Sequence, residues 1–359
     1  NASTVTSSDI NDALNGGTSV ILDAVSGGGG GTGAITVSDP ITKTSGGNAS
    51  LTLSANSAIS INQPITSTCN ALNLVLETSA ASTISIAANI TTNGGTLSAG
   101  GTGSTSAALI SLAGGKTISA GAVTLTATTI SLEGKLVSSD NVTLTGTTIT
   151  ETTMASGANG GIELNTTGGT LTMTADTITL NGDVSTGAST SSVILKANTT
   201  VGLTGTMALS GGSLTIQDDT SLPAVTVGST ASLTGVGDFV IRGSTVAFNG
   251  AVTNSGNVSL QGGTSLSLGA SSTVSMTGSS KTLTTGTSDK VKVTSVTAGK
   301  AINLSSTTIG GALNLSETGL ASISTTFGGL EIGTASSGTI TVRDDTVSSG
   351  NGTFLLPIA

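Results

Sequence analysis

The stretch Ile35-Thr-Val-Ser-Asp-Pro-Ile41-Thr42 decides the fold, because the chain repeats its pattern twice more. The second copy reads Ile59-Ser-Ile-Asn-Gln-Pro-Ile65-Thr66, and the third reads Ile84-Ser-Ile-Ala-Ala-Asn-Ile90-Thr91. The copies begin 24 and then 25 residues apart. Within each copy, apolar and polar residues alternate as in a strand, and the proline of the first two copies indicates a break before a second strand. Repetition at this period is typical of a solenoid.

The same pattern continues along the chain, with turns of variable length. Val123-Thr-Leu125 leads to Ile130, and Val142-Thr-Leu144 leads to Ile149, so that each unit offers three short strands. Three such strands close a triangular coil, and successive coils stack by parallel pairing at about 4.8 Å. Right-handed winding follows from the preference for right-handed parallel crossovers. The sequence therefore predicts an all-β fold, a right-handed parallel β-helix with three strands per coil and about twelve to fourteen coils.

The first sixteen residues have a different character. The segment Ser8-Asp-Ile-Asn-Asp-Ala-Leu-Asn15 predicts a short helix, with Ser7 or Ser8 as its N-terminal cap and Gly16 at its end. We expect residues 1–16 to form a cap-like segment and residues 17–359 to form a single parallel β-helix. The chain begins without a methionine or an apolar leader, and we expect a processed form or a fragment.

The composition narrows the function classes. Charged residues are 8% of the chain, Ser and Thr make up about a third, and the net charge is −9. This charge argues against a nucleic-acid partner, and no apolar run is long enough to predict a membrane span. Without histidine there is no Ser-His or Cys-His pair, so we expect no enzyme and no cofactor. Cys69 is alone, which favours a small buried or turn residue over an intermolecular disulfide.

Several early stretches resemble one known family. Ser8-Asp-Ile-Asn-Asp-Ala-Leu-Asn-Gly-Gly-Thr-Ser-Val20, the segment from Gly33 to Lys43 and the segment from Gly47 to Ile61 resemble the filamentous haemagglutinin-like exoproteins of two-partner secretion. The resemblance implies a right-handed parallel β-helix, export through an outer-membrane secretion barrel, and adhesive or filament-forming roles on a Gram-negative bacterium. The Asn-Pro motif of that family's secretion module has no counterpart here, which leaves open a shaft segment or a relative exported by another route.

The last seven residues, Thr353-Phe-Leu-Leu-Pro-Ile-Ala359, form the most apolar heptad of the final stretch. Exposed Phe and Leu side chains are unfavourable on a protein surface. We therefore expect Phe354, Leu355, Leu356 and Ile358 to be assembly residues, buried against a further coil or a neighbouring copy. A head-to-tail contact of the second kind does not close and builds a filament.

These observations lead to one function and leave alternatives open. The prediction is a non-enzymatic, extracellular structural protein, the shaft of an adhesin or the subunit of a bacterial surface filament, with a glycan or protein receptor as a possible partner. The first alternative is a carbohydrate-binding or carbohydrate-cleaving β-helix, which clustered acidic and basic residues would favour.

Two patterns leave narrower alternatives open. The pairs Asp218-Asp219 and Asp344-Asp345 are either calcium ligands or turn residues, and their small number favours turns. The remote alternative is an ice-binding solenoid, because threonine pairs recur in consecutive units where they would form ladders on a flat face. These pairs are Thr124 with Thr126, Thr143 with Thr145, Thr170 with Thr172, Thr148 with Thr150, and Thr177 with Thr179. The high β propensity of threonine explains the same pattern without a ligand.

Overall fold

A computed structural model describes residues 4–24, 33–79, 81–101, 106–152, 161–166, 168–187, 191–217, 222–254 and 256–268, and beyond them only short strands; side chains are described as far as Gln261. One helix, α1 (Ser7–Asn15), precedes the strands. The first strands are β1 (Val20–Ala24), β2 (Ile35–Val37), β3 (Ile41–Lys43), β4 (Ala49–Ala55), β5 (Ile59–Ile61), β6 (Ile65–Ser67), β7 (Leu72–Thr78), β8 (Thr83–Ile86), β9 (Ile90–Thr91), β10 (Leu97–Gly101), β11 (Ala107–Leu112), β12 (Thr117–Ala120), β13 (Val123–Leu132), β14 (Lys135–Ser138), β15 (Val142–Thr145), β16 (Thr148–Glu151) and β17 (Gly161–Leu164).

The chain continues with strands of the same kind. They are β18 (Thr170–Leu180), β19 (Asp183–Thr186), β20 (Ser192–Leu203), β21 (Thr206–Leu209), β22 (Ser213–Ile216), β23 (Ala224–Val227), β24 (Ser232–Gly235), β25 (Phe239–Phe248), β26 (Ala251–Asn254), β27 (Val258–Leu268), β28 (Thr273–Met276), β29 (Leu283–Thr284), β30 (Lys290–Val293), β31 (Ile302–Leu304), β32 (Leu313–Leu315), β33 (Gly329–Ile332) and β34 (Ile340–Val342).

The strands stack as a parallel β-solenoid, since each strand pairs with the equivalent strand one turn later. The first two segments of each turn form a 20-stranded sheet, the third segments form an 11-stranded sheet, and β31, β32 and β34 form a small sheet of their own. Between β4 and β26 the chain completes about nine turns. The all-β parallel solenoid is thus confirmed. The right-handed winding and the count of twelve to fourteen coils stay predictions, as does the single domain 17–359, which extends beyond the described residues.

The three copies of the opening motif lie directly on one another. Ile35 pairs with Ile59, which pairs with Ile84, and Ile41 pairs with Ile65, which pairs with Ile90. The proline predicted to separate two strands does so, because β2 ends before Pro40 and β3 begins after it. Register is set here by the inward apolar residues, since a slip of one residue would turn every one of them outward.

The core consists of columns of aliphatic side chains that run along the rod. One column on the second segment of the turns shows the principle, because its members pair in unbroken register and are all buried. They are Ile59, Ile84, Ile110, Ile130, Ile149, Ile178, Val201, Val225 and Val246. Burying each such side chain contributes about 1.5–3 kcal/mol before the entropy of ordering the chain is subtracted.

Several strands are longer than predicted. The sequence pattern predicts a gap between Leu125 and Ile130, but β13 runs through it without a break, as β18, β20, β25 and β27 do in their turns. In β13 the intervening residues are Thr126-Ala-Thr-Thr129, which contain no Gly or Pro to end a strand and three β-branched residues that favour one. The register shifts partway along the pairing of β18 with β20 and along that of β25 with β27, which marks the corner of the coil.

Helix α1 covers the start of the third face, which is the sheet formed by the third segments of the turns. Its Ile10 and Leu14 are buried in the core, and the Oδ1 of Asn11 accepts a hydrogen bond from the backbone N–H of Thr42 at 2.8 Å. Asn15 accepts in the same way from the N–H of Thr44 at 2.7 Å. These side chains supply the acceptors that a preceding coil would have supplied to β3. The predicted cap at Ser7 or Ser8 is wrong, because Thr6 caps the helix and accepts from the N–H of Asp9.

Candidate functional site

The predicted assembly residues Phe354, Leu355, Leu356 and Ile358 lie outside the described residues, as do the pairs Asp218-Asp219 and Asp344-Asp345. Their roles stay predictions. The candidate site residues that the structure does place are the threonines of the outer ladder. The described part of the chain adds two further features that the sequence analysis missed, a polar inner corner and a buried glutamate.

The outward positions of the second segment form a continuous row of hydroxyl groups, which we call the hydroxyl face. Its central column pairs in register from one turn to the next. The members are Thr36, Ser60, Ser85, Ser111, Ser131, Thr150 and Thr179. A second column beside it contains Thr129, Thr148, Thr177 and Thr200.

The hydroxyls of this face can donate and accept along the column. Thr200 Oγ1 donates to Thr177 Oγ1 at 3.2 Å, across one step of the stack. The predicted ladder of Thr148 with Thr150 and Thr177 with Thr179 is confirmed, and it extends to Thr129 in the turn before. The predicted threonine pairs did not include the serines of this face, although a serine at the same outward position also presents a hydroxyl group.

On the first segment the predicted ladder needs a correction. Thr124 pairs with Thr143 as expected, but Thr143 pairs with Thr172 and Thr145 pairs with Thr174. The third rung is therefore Thr172 with Thr174. The predicted rung of Thr170 with Thr172 is wrong, because it lies two residues, or one outward position, too early along the strand. The inward pairing of Val142 with Leu171 fixes this register, because burial of these two side chains outweighs any preference among outward threonines.

A polar column lies inside the solenoid at the corner after the third segment. Its polar members are buried Lys43, Ser67, Thr92, Ser138, Thr186 and Asn254. At this corner the chain turns inward and its carbonyl groups need donors. Lys43 Nζ donates to the carbonyl oxygens of Ser45 and Cys69, and Asn254 Nδ2 donates to that of Gly237 at 2.7 Å. Half-buried Cys69 is thus a turn residue, as predicted.

Glu151 is the exception in the aliphatic core. It ends β16, is fully buried, and occupies a column between Leu132 of the preceding turn and Leu180 of the following one. Its Oε2 accepts a hydrogen bond from the backbone N–H of Gly182, while its Oε1 has no hydrogen-bond partner. The sequence carried a signal for this residue, because Ile149 points inward and the residue two positions later must do so too.

Burial raises the pKa of the Glu151 carboxyl to about 7 from its ordinary 4.5. The backbone N–H groups of Gly182 and Asn181 lower the pKa by stabilising the carboxylate, whereas the negative charge of nearby Asp183 raises it further. The loss of hydration is the largest effect and outweighs the stabilisation that these backbone groups provide. Glu151 therefore changes charge near neutral pH, where ordinary carboxyl groups are already ionised.

The outer surface carries few charges, and one ion pair is found among the residues with described side chains. Lys135 Nζ contacts the Glu163 carboxylate across adjacent strands of the third face. The hydrogen bond from Lys135 holds the pKa of Glu163 below its ordinary value. Within the same part of the chain, His, Cys, Asp and Glu form no group of three or more that would hold a metal ion.

Comparison with known proteins gives this chain no relative from which to take a role. Helix α1 is too short to cross a bilayer, and no other helix in the described part of the chain meets the length and apolarity required. The geometry offers an ordered array of hydroxyl groups outside and one titrating carboxyl group inside. No family model, no curated protein and no solved structure matches the sequence or the fold of this chain.

Proposed function

We propose that the protein is a non-enzymatic structural rod, the shaft of an adhesin or the subunit of a filament on the outside of a Gram-negative bacterium. In this proposal it is a right-handed β-helix of twelve to fourteen coils, exported through an outer-membrane barrel. Receptor binding to a glycan or a protein belongs to other parts of the assembly or to the ends of the rod.

The observation that carries the proposal is the continuous parallel pairing of the third segments along the stack. From β3 to β28, eleven strands pair in parallel in one sheet, and the inward residues of each turn cover those of the next. Such a stack is extended along one axis, and its stability is the sum of similar turns and the contacts between them. This construction suits a spacer that holds its two ends apart.

The outer surface supports the same reading. Its rows consist largely of Ser and Thr, and charged residues make up only 8% of the chain. Small uncharged side chains give the rod a smooth surface that exerts only weak electrostatic forces on other molecules. A catalytic groove would instead need acidic and basic groups brought together at one place.

The decisive experiment is electron microscopy of the native protein, with and without residues 353–359. We expect rods with the width of a single β-helix, either alone or joined end to end. If the apolar heptad docks on a neighbouring copy, its deletion leaves single rods, and the double substitution Phe354→Ser with Leu356→Ser has the same effect. Globular particles, or filaments that persist without the heptad, contradict the rod or the head-to-tail contact respectively. Antibody labelling of intact source cells tests the surface location.

A second candidate function is ice binding, and the registered ladder on the hydroxyl face is the observation that favours it. Thr148 with Thr150 and Thr177 with Thr179 repeat at the strand spacing of about 4.8 Å. Thermal hysteresis and ice-recrystallisation assays test this function directly. If the ladder binds ice, Thr150→Lys with Thr179→Lys abolishes the activity, whereas Thr124→Lys on another face does not. An inactive wild-type protein rules this candidate out.

A further inference from the structure

Glu151 has the position of a core leucine but the chemistry of an acid. In the turns on either side, the same inward position is held by Leu132 and Leu180, and further along by Leu203 and Val227. All of these are buried. A sequence that needed only packing would place an aliphatic residue here, since the carboxyl group adds a desolvation cost that leucine does not have.

The carboxyl group is only partly satisfied. Oε2 is held by the N–H of Gly182, and Gly182 itself lies so close that a Cβ atom there would overlap the carboxyl oxygens. Oε1 is buried without a partner. An ionised carboxylate needs hydrogen-bond donors for both of its oxygens, and a buried acceptor without a donor is costly. The neutral carboxyl group removes the charge while the contact with Gly182 remains possible.

The surrounding charges do not compensate for ionisation. Strand β13, on one side, contains no charged residue, and Glu133 directly after it is exposed. On the other side, β18 contributes only Asp176, which is exposed and accepts from Asn198 at 2.8 Å, and β19 begins with Asp183, whose charge opposes that of Glu151. Lys135 is already paired with Glu163 on the outer face.

The location in the stack determines what ionisation does. Glu151 links the turn of β13 to the turn of β18, and parts of the solenoid extend on both sides. In a stack of turns each interface contributes its own term to stability, so a weakened interface opens locally while the others hold. We propose that Glu151 makes this junction a protonation-dependent weak point of the rod, closed when the carboxyl group is neutral and prone to local opening when it is ionised.

The direction of the pH dependence follows from the raised pKa. The folded protein holds the Glu151 proton up to about pH 7, whereas the opened chain releases it near 4.5. The stabilisation is therefore fully present below about pH 4.5 and is lost as the pH rises through about 7. The two values differ by about 2.5 pH units, which corresponds to an increase of about 300-fold in the local opening equilibrium.

Hydrogen exchange of the full chain, read by mass spectrometry between pH 5 and 8 and corrected for intrinsic rates, tests the proposal. We expect peptides that contain Ile149–Glu151 and Leu180–Gly182 to lose protection as the pH rises, while peptides from β4 to β8 change little. Glu151→Gln has the same shape but cannot ionise, so it abolishes the local pH dependence. Glu133→Gln, an exposed acid on the same corner, leaves it intact.

Two results would overturn the proposal. One is equal pH dependence in wild type and Glu151→Gln. The other is a loss of protection with rising pH that is uniform along the wild-type rod. This second measurement uses no variant, so it remains valid even if a substitution impairs folding. As a further check, Glu151→Leu restores the aliphatic column, and we expect it to hold the junction closed at every pH tested.

Discussion

At the scale of single residues, the inner corner shows why a few polar side chains are buried in an otherwise aliphatic core. Ser138 is fully buried, and its hydroxyl lies within hydrogen-bonding distance of the carbonyl oxygens of Gly121 and Asp140. It also accepts from the N–H of Asp140 at 3.2 Å. The turn therefore depends on a small side chain that both donates and accepts, which an aliphatic residue cannot replace.

The substitution Ser138→Ala tests this role. We expect it to lower the free energy of unfolding by about 1–3 kcal/mol, because buried groups at the turn lose their partner. Ser131→Ala is the matched control, since Ser131 is partly exposed on the hydroxyl face, and there we expect a change within about 0.5 kcal/mol. Denaturation by guanidinium measures both. Equal effects of the two substitutions would mean that the corner hydroxyl has no special role.

Two glycines, one in a turn and one within a strand, test how tightly successive turns pack. A Cβ atom on Gly95 would overlap the backbone of Leu72 in the preceding turn, whereas one on Gly202 would meet nothing within 4 Å. We expect Gly95→Ala to destabilise the protein by about 1–3 kcal/mol through overpacking against backbone. Gly202→Ala should be neutral or stabilise the protein by up to about 1 kcal/mol, because alanine lowers the entropy of the unfolded chain. Thermal melting compares them, and a tolerated Gly95→Ala would contradict the packing.

At the scale of elements, helix α1 packs beside β3 in the place that a strand of a neighbouring coil takes elsewhere in the stack. Asn11 and Asn15 offer side-chain oxygens to the backbone N–H groups of Thr42 and Thr44, and in the described part of the chain β3 pairs with β6 alone. Unpaired strand edges invite association with other chains, and this helix reduces that risk at one face. The apolar contacts of Ile10 and Leu14 hold it there, so the short helix owes its stability to the core more than to its own length.

The double substitution Asn11→Ala with Asn15→Ala tests the capping role. We expect faster hydrogen exchange at the amides of Thr42 and Thr44 and a loss of about 1–2 kcal/mol, because two acceptors of backbone hydrogen bonds are removed. Asp12→Ala is the control, since Asp12 is exposed on the same helix. The idea fails if exchange at residues 41–45 is the same in both variants.

The elements also show how much the sequence could predict. Inward residues such as Ile59 and Ile84 reveal strands and register by alternation alone, because burial on one face imposes it. The continuity of β13 was missed, because a bend within a strand needs no Gly or Pro. The polar corner was missed for another reason. Ser138 and Thr92 look like ordinary turn residues until the chain path shows that their hydroxyls point inward at carbonyl groups.

At the scale of the whole molecule, the stack predicts resistance to proteases. Lys and Arg are absent between Lys43 and Lys116 and between Lys196 and Arg242, and the backbone of the turns is held in strand pairing. We expect the native rod to survive both trypsin and proteinase K, because cleavage requires local unfolding. Proteinase K does not need Lys or Arg at its cleavage sites. Resistance to this enzyme therefore reports on the fold and not on the scarcity of trypsin sites. Heat-denatured protein is the control, and rapid digestion of the native rod by both enzymes would argue against a closed solenoid.

The parallel stacking of turns also determines how the rod responds to force. Hydrogen bonds between turns lie along the long axis, so tension applied to the two ends loads one junction at a time and peels the chain instead of shearing whole sheets. At about 3.3–3.6 Å per residue, a detached turn releases about 60 Å of chain for the 19 residues from Val123 to Val142 and about 100 Å for the 29 residues from Val142 to Leu171. Pulled from its ends, the rod therefore lengthens at modest force in a series of unequal steps, and the length of each repeat sets the length of its step.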